Sequence, residues 1–308
     1  MRISSIDIGT NTVLLLVADV ESDGAVKPLA HGHEIARIGK GVDRTKKISP
    51  EGIDRLRVIL REYVEISRKH GAERIVACGT SALRDAENRE AFRETILQEF
   101  GINVVVLSGE EEARLSYLGA LSEFDDRDAT FAVLDIGGGS TEITVGTGEH
   151  FDMSLSLDLG CVRLTERYLK SIPPSKNAVA EVTSVIREQL GRIESIPAGS
   201  RLVGVAGTVT TLAAMDLQLP KYDPLRVNGH RLSLATIERM YDDLSAKTLD
   251  QIKAVRQIHP ERADILLAGV VILIEVMKRI GWKEITASDR GLRYGFAMRE
   301  AGGRNTRF

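Results

Sequence analysis

Short apolar runs ending on turn residues open the chain. RISSIDIG, with Ile3, Ile6 and Ile8, predicts a strand that breaks at Gly9, Thr10 and Asn11. TVLLLVADV predicts a second, more buried strand, and AVKPLAHGHEIARIG a third. At Ser49 the period changes. Ser49 is a natural N-cap, Pro50 suits the first helical position, and Ile53, Leu56, Leu60, Tyr63 and Val64 share one face of a helix closed by Gly71. RIVACG then predicts a strand, Ala82 to Phe100 a helix closed by Gly101, NVVVLS a strand, and GEEEARLSYLGALSEF a helix. The predicted order is β-β-β-α-β-α-β-α.

From Phe131 the pattern restarts. FAVLDI, TEITVG and HFDMSLSL predict three strands, CVRLTERYLK and NAVAEVTSVIREQLGRI two helices, RLVGVAG a strand, and more helix follows. The apolar run from Ile265 to Ile274 stops at Glu275, well short of the ~20 residues a membrane helix needs, so it predicts a buried helix. The repeat is one of architecture, in which DIGTNT at Asp7 to Thr12 echoes DIGGGST at Asp135 to Thr141. Two similar lobes are expected, 1–125 and 126–308, divided at the polar stretch from Glu123 to Thr130. The last helix is a candidate to pack back on the first lobe. Paired lobes of this kind hold ligands in the cleft between them, and the two acid-glycine turns are expected to face it.

Composition narrows the functional classes. A chain of 308 residues can bury substantial cores without staples, and its two cysteines, Cys78 and Cys161, have neither CxxC nor zinc-type spacing. A reducing cytoplasm is the expected compartment, because MRISSIDIG reaches Asp7 before any signal-peptide apolar core. The net charge of −3 offers no global attraction for a polyanion, so neither DNA nor a membrane surface is an expected partner. Any basic site is local. The one candidate is RIGKGVDRTKK, where Arg37, Lys40, Arg44, Lys46 and Lys47 meet a single acid, Asp43; a solvated loop and an anion track are both open readings.

Chemistry concentrates at the turns. A lone Asp-x-Gly turn is an ordinary hairpin, but two at equivalent places, one with three consecutive glycines, point to backbone cleared for a ligand. Such turns gather N–H groups for phosphate oxygens, and Thr10, Asn11, Ser140 and Thr141 add short donors. Asp7 and Asp135 would repel a bound phosphate unless a hard cation lies between, or unless they orient water.

In SGEEEARLSYLG, Ser108 and Glu111 form a capping box, and Glu110 suits the positive helix end. Glu112 has no such structural account, and its face continues through Leu115, Ser116 and Gly119; it is either a solvent-facing glutamate or a partly desolvated base toward water. TSALRDAEN passes from a strand end into a helix, where Arg84 is a candidate phosphate ligand. Gly207, Thr208 and Thr210 occupy the equivalent passage, GVAGTVTT, in the second half, where Gly207 and Thr208 are candidate phosphate contacts and simple helix–strand packing is the other open reading. His31 and His33 have HxH spacing but no third ligand nearby, and read as surface histidines.

DIGTNT, TSALRDAEN, SGEEEARLSYLG, DIGGGSTE, LGCVRLTE, GVAGTVTT and GLRYG occur in the order and spacing of the exopolyphosphatase and guanosine pentaphosphate phosphohydrolase family, which the chain resembles over nearly its whole length. The resemblance implies an α/β fold of two ribonuclease H-like, actin-like lobes, each a mixed β-sheet with flanking helices, in the short two-lobed form. It implies Mg²⁺-assisted, or other divalent-cation-assisted, hydrolysis of a terminal phosphoanhydride. The substrate would be polyphosphate, or guanosine pentaphosphate giving the tetraphosphate of the stringent response, and a homodimer is a candidate assembly.

Position by position, Glu112 matches the carboxylate that activates water, and Asp135 and Glu142 match acids that organise metal and water, with Asp7 a third candidate ligand. Asp7, Gly9, Thr10 and Asn11, and Gly137, Gly138, Gly139, Ser140 and Thr141, match the phosphate turns, and Arg84 a phosphate clamp. The family usually has glutamate in place of Tyr294. Two alternatives stand beside hydrolysis, an ATP-using kinase or ATPase of the same superfamily and a non-hydrolytic sensor of guanosine tetraphosphate or polyphosphate.

Overall fold

A computed structural model describes residues 1–124, 126, 128–193, 196–197 and 199–302. The chain divides into two compact units, one of Met1–Asp125 with Arg290–Phe308, the other of Asp126–Asp289.

The first unit is built on a five-stranded mixed sheet. Its strands are β1 (Arg2–Ile8), β2 (Thr12–Val20), β3 (Val26–Ile35), β4 (Arg74–Gly79) and β5 (Val104–Val106), in the order β3-β2-β1-β4-β5. The first three form an antiparallel meander, and β4 and β5 add in parallel. Side chains alternate across the sheet. Ile6, Ile8, Val13, Leu15 and Val17 join Leu56, Leu60 and Tyr63 of the helix Pro50–Lys69 on one face. Ile3, Leu16 and Ala18 join Leu115 of the helix Gly109–Leu121, and Leu292 and Phe296 of the helix Leu292–Glu300, on the other. Because both faces are covered, these strands read as apolar runs rather than as clean alternation.

Ser49 caps its helix as expected, its hydroxyl accepting from Gly52 N–H at 3.2 Å. The expected helix from Ala82 to Phe100 is instead two, Ser81–Asp85 and Arg89–Phe100. The break has a tertiary cause. Glu87 N–H donates to Lys46 O at 2.7 Å and so leaves the helical ladder, and the Asn88 side-chain amide, bonded to both the N–H and the carbonyl of Ile48, ties the junction to that segment.

The second unit repeats the plan with six strands. They are β6 (Thr130–Ile136), β7 (Thr141–Thr147), β8 (His150–Leu157), β9 (Arg201–Val205), β10 (Arg231–Ser233) and β11 (Glu284–Ala287), ordered β10-β11-β9-β6-β7-β8. Again three antiparallel strands are followed by parallel ones, with β10 added antiparallel at the edge. Each unit is thus a mixed sheet with flanking helices of the expected actin-like kind. The strand β10, of three residues, lies below the length at which a period is readable, and β11, of four, lies at its lower bound.

The apolar run beginning at Ile265 forms the helix Leu266–Ile280, buried through Met277. Its one acid there, Glu275, is held by Arg187 at 2.6 Å. No described helix is long and apolar enough to cross a membrane.

Candidate active site

In the first unit, β1 delivers Asp7 to a turn whose Gly9 N–H donates to Thr12 O at 3.0 Å. A Cβ at Gly9 would lie 2.9 Å from that same oxygen, so only glycine closes the turn this tightly. Asp7, Thr10 and Asn11 are all buried at the end of the strands. Asp7 lies in register with Cys78 on β4. The Cys78 thiol is pushed well above its usual range by burial, and the charges of Asp7 and Glu112 push it the same way. Both carboxylates therefore lie close to one point of the unit.

Glu112 reaches that point from the helix Gly109–Leu121. The helix starts with the expected box, Glu111 N–H donating to Ser108 Oγ at 3.1 Å and Ser108 N–H to the Glu111 carboxylate at 2.8 Å. Glu110 is occupied with Arg114 at the surface. Glu112 is the acid that turns inward, its side chain 8% exposed, and it is ion-paired with Arg84 from the helix Ser81–Asp85. Arg84 Nη1 also donates to Leu107 O at 3.1 Å, which fixes the guanidinium from a second side.

The stripe Leu115, Ser116 and Gly119 faces the last helix rather than open solvent. A Cβ on Gly119 would lie 2.1 Å from Gly291 O, and one on Gly295 would lie 2.0 Å from Leu115 O. Two helix backbones touch here with no side chain between them. The contact braces the helix that carries Glu112. Tyr294, from the same last helix, is buried, with the guanidinium groups of Arg290 and Arg293 over its ring at 5.0 and 5.4 Å.

In the second unit, β6 and β7 place Asp135 directly opposite Glu142. Cross-strand partners share a face, so two buried carboxylates stand side by side there. Ser156 Oγ donates to Glu142 at 2.7 Å. Between the two acids runs the three-glycine turn, closed by Gly137 N–H donating to Ser140 O at 3.0 Å. None of the three glycines takes a positive φ, so a tight-hairpin geometry does not explain them.

Their carbonyls do. Gly137 O accepts from Cys161 N–H at 3.0 Å, and Gly138 O from the N–H groups of Val162 and Arg163 at 2.8 and 3.1 Å. Gly139 O accepts from Arg163 Nε at 2.7 Å. All three carbonyls are drawn to the start of the helix Cys161–Arg167. In a planar trans peptide the N–H points opposite to the C=O, so the N–H groups of Gly138, Gly139 and Ser140 turn to the other side. Three successive N–H groups turned to one side make a concavity whose chemistry suits an anion. A Cβ on Gly160 would lie 2.3 Å from Gly138 O, so this glycine permits the approach.

Arg163 is the residue that reading the sequence missed. Its side chain is almost wholly buried, yet it stands 24 positions from the glycine it holds, and no local pattern marks it.

The passage from β9 into the helix Ala206–Asp216 behaves differently. A Cβ on Gly207 would coincide with the Arg262 guanidinium, 0.9 Å from Nη1, so the missing side chain makes room for that arginine. Burial holds the Arg262 pKa below its usual value. Thr208 is buried and packs against Gly269 of the long helix. His31 and His33 are exposed on β3.

Among the described residues, no three or more His, Cys, Asp or Glu side chains converge as a metal cluster. Asp135 and Glu142 nonetheless fit a hard divalent cation of the Mg²⁺ kind, which binds through one or two carboxylates and completes its shell with water and substrate phosphate.

The model of the Ppx/GppA phosphatase family matches residues 16–302. Exopolyphosphatase 2 of Mycobacterium tuberculosis is 37% identical, over 98% of this chain and 99% of that protein. Among solved structures, the Aquifex aeolicus Ppx/GppA family member superposes with a TM-score of 0.82 at 31% identity, covering 98% of this chain and 97% of that one. An exopolyphosphatase from Cytophaga hutchinsonii gives 0.88 at 27% identity, covering 99% of each.

Proposed function

Since the chain belongs to the Ppx/GppA phosphatase family, we propose that it is an exopolyphosphatase, which hydrolyses the terminal phosphoanhydride of linear polyphosphate and releases orthophosphate. The observation that carries the residue assignment is Glu112, a buried carboxylate paired with Arg84 and close to the Asp7 turn.

In this reading Glu112 aligns a water molecule and takes its proton as the water oxygen attacks the terminal phosphorus. The bridging P–O bond breaks, and its electron pair leaves with the shortened chain. Arg84 orients the Glu112 carboxylate and offers positive charge to the phosphoryl oxygens. The N–H groups of Gly138, Gly139 and Ser140 cradle phosphate oxygens, kept in position by Arg163 and the helix behind it. Gly9, Thr10 and Asn11 supply a second set of short donors. Asp135 and Glu142 would hold a divalent cation, which would supply positive charge toward phosphate oxygens. Asp7, in the first unit, carries a carboxylate of the same chemical type. Gly207 makes room for the Arg262 guanidinium, and Thr208 packs on Gly269 of the long helix; both remain candidates to contact phosphate.

Phosphoryl transfer asks for positioning and charge neutralisation, and these residue types supply both. A kinase reading has no comparable support, and pure anion binding gains nothing from buried acids at Asp7, Glu112, Asp135 and Glu142.

The test is orthophosphate release from polyphosphate with Mg²⁺ and with chelator, run beside guanosine pentaphosphate as an alternative substrate. Release from polyphosphate chain ends that stops with chelator is the expected result. Absence of release from polyphosphate under every divalent cation contradicts the proposal.

A further inference from the structure

The segment Arg37–Lys47 is tied by its backbone to both phosphate-contacting elements of the first unit. At its start, Arg37 N–H donates to Asn11 O at 2.9 Å, and Gly39 N–H to Thr10 O at 2.8 Å. A Cβ on Gly39 would lie 2.2 Å from Thr10 Cγ2, so the segment rests directly on the Thr10–Asn11 turn. At its end, Lys46 O accepts from Glu87 N–H at 2.7 Å, just beyond the helix that carries Arg84.

Between these ties the backbone is ordered. A short helix spans Val42–Thr45, Thr45 Oγ1 bonds the carbonyls of Gly41 and Lys47, and Ile38, Val42 and Ile48 are buried in the core. What remains outside is charge. Lys40, Arg44, Lys46 and Lys47 are exposed, and none of the four makes an ion pair among the described residues. By contrast, Arg57, Arg93 and Arg114 of the same unit are each ion-paired, with Glu99, Glu90 and Glu110. A solvated loop needs neither the two backbone ties nor a cluster of four unpartnered cations beside an anion turn.

We propose that Lys40, Arg44, Lys46 and Lys47 form a subsite for the distal phosphates of a long linear polyphosphate whose end occupies the Asp7 and Arg84 region. This rests on the exopolyphosphatase reading and deepens it, by making the preferred substrate a chain long enough to reach beyond the turn. The cations act by raising the local concentration of a flexible polyanion, and their effect weakens as salt screens them. A substrate of only a few phosphates ends before this subsite and gains nothing from it.

The experiment compares the wild-type protein with the combined variant Lys40→Gln, Arg44→Gln, Lys46→Gln and Lys47→Gln, on long-chain polyphosphate and on tripolyphosphate. For the long chain at low ionic strength, KM is expected to rise by at least ~10-fold, with the difference shrinking at high salt. On tripolyphosphate, kcat and KM are expected to stay within about 2-fold of wild type, because steering acts only on the longer anion. An equal rise on both substrates, or no rise on the long chain, overturns the subsite.

Equilibrium binding of long-chain polyphosphate without turnover separates this from the hydrolytic reading. If the wild type releases no phosphate, a loss of affinity in the variant of at least ~10-fold still supports the subsite, and equal affinities overturn it.

Discussion

Replacing Gly119 with alanine tests whether the last helix braces Glu112, the proposed base. On an exposed helix the change from glycine to alanine stabilises by about 1 kcal/mol. Here the sign is expected to reverse. The new Cβ would sit 2.1 Å from Gly291 O, 2.8 Å from Gly291 C and 2.9 Å from Gly295 N, all of them backbone atoms that no rotamer change can move. Reaching ordinary contact requires the two backbones to part by more than ~1 Å, at a cost of about 1–3 kcal/mol for overpacking. Glu112 lies two turns away on the same face of the same helix, so its carboxylate shifts with it. A 1 Å displacement at a reacting group costs on the order of 100-fold in rate.

The assay is a thermal melt together with kcat and KM for polyphosphate. We expect a fall in Tm of several degrees for a unit of this size, roughly 2–4 °C per kcal/mol, and a kcat reduced by about 10- to 100-fold with a smaller change in KM. A raised Tm, or a kcat equal to wild type, refutes the bracing argument.

Three further outcomes follow from the geometry. Arg163→Met removes the donor to Gly139 O, leaving a buried carbonyl unsatisfied at about 1–3 kcal/mol, and lowers kcat about 10-fold or more as the nest loosens; steady-state kinetics within 2-fold of wild type would rule out the clamp. Burial raises the Cys161 pKa to about 11 from an ordinary thiol value of 9.0. A raised acid pKa means that the unfolded chain loses this proton first as pH rises. Its stabilising contribution is complete below about pH 9 and falls by roughly 2–3 kcal/mol by pH 11. Urea unfolding between pH 8 and 11 is therefore expected to show a shallower decline in Cys161→Ala than in wild type, and parallel declines would contradict the assignment. Both thiols are buried and are expected to react with a thiol reagent only after unfolding, which a timed labelling experiment in and out of denaturant reads directly.

What the sequence made legible is what is local. The Ser49 cap, the Ser108–Glu111 box and the acid-glycine turns are set by residues within a few positions of one another, and each stands where its pattern places it. Glu112 stood out by elimination, once Glu110 and Glu111 had structural explanations. Four features could not be read this way, because their partners are distant in the chain. Arg163 holds a glycine on another element, and Gly119 makes room for the last helix. Gly207 makes room for Arg262, and the helix expected from Ala82 to Phe100 is broken by bonds to the segment ending at Ile48. The three glycines illustrate the difference. Their surplus was visible as composition, but its cause is the approach of Gly160 and the capture of three carbonyls by a helix start.

The measurement that bears most directly on the account is polyphosphate turnover by Glu112→Gln, in protein confirmed as folded by circular dichroism. Glutamine keeps the shape of the side chain and removes its capacity to take a proton. The account predicts a kcat lower by at least ~100-fold with polyphosphate binding retained. A variant that turns over at a rate within a few-fold of wild type would show that the base is not Glu112.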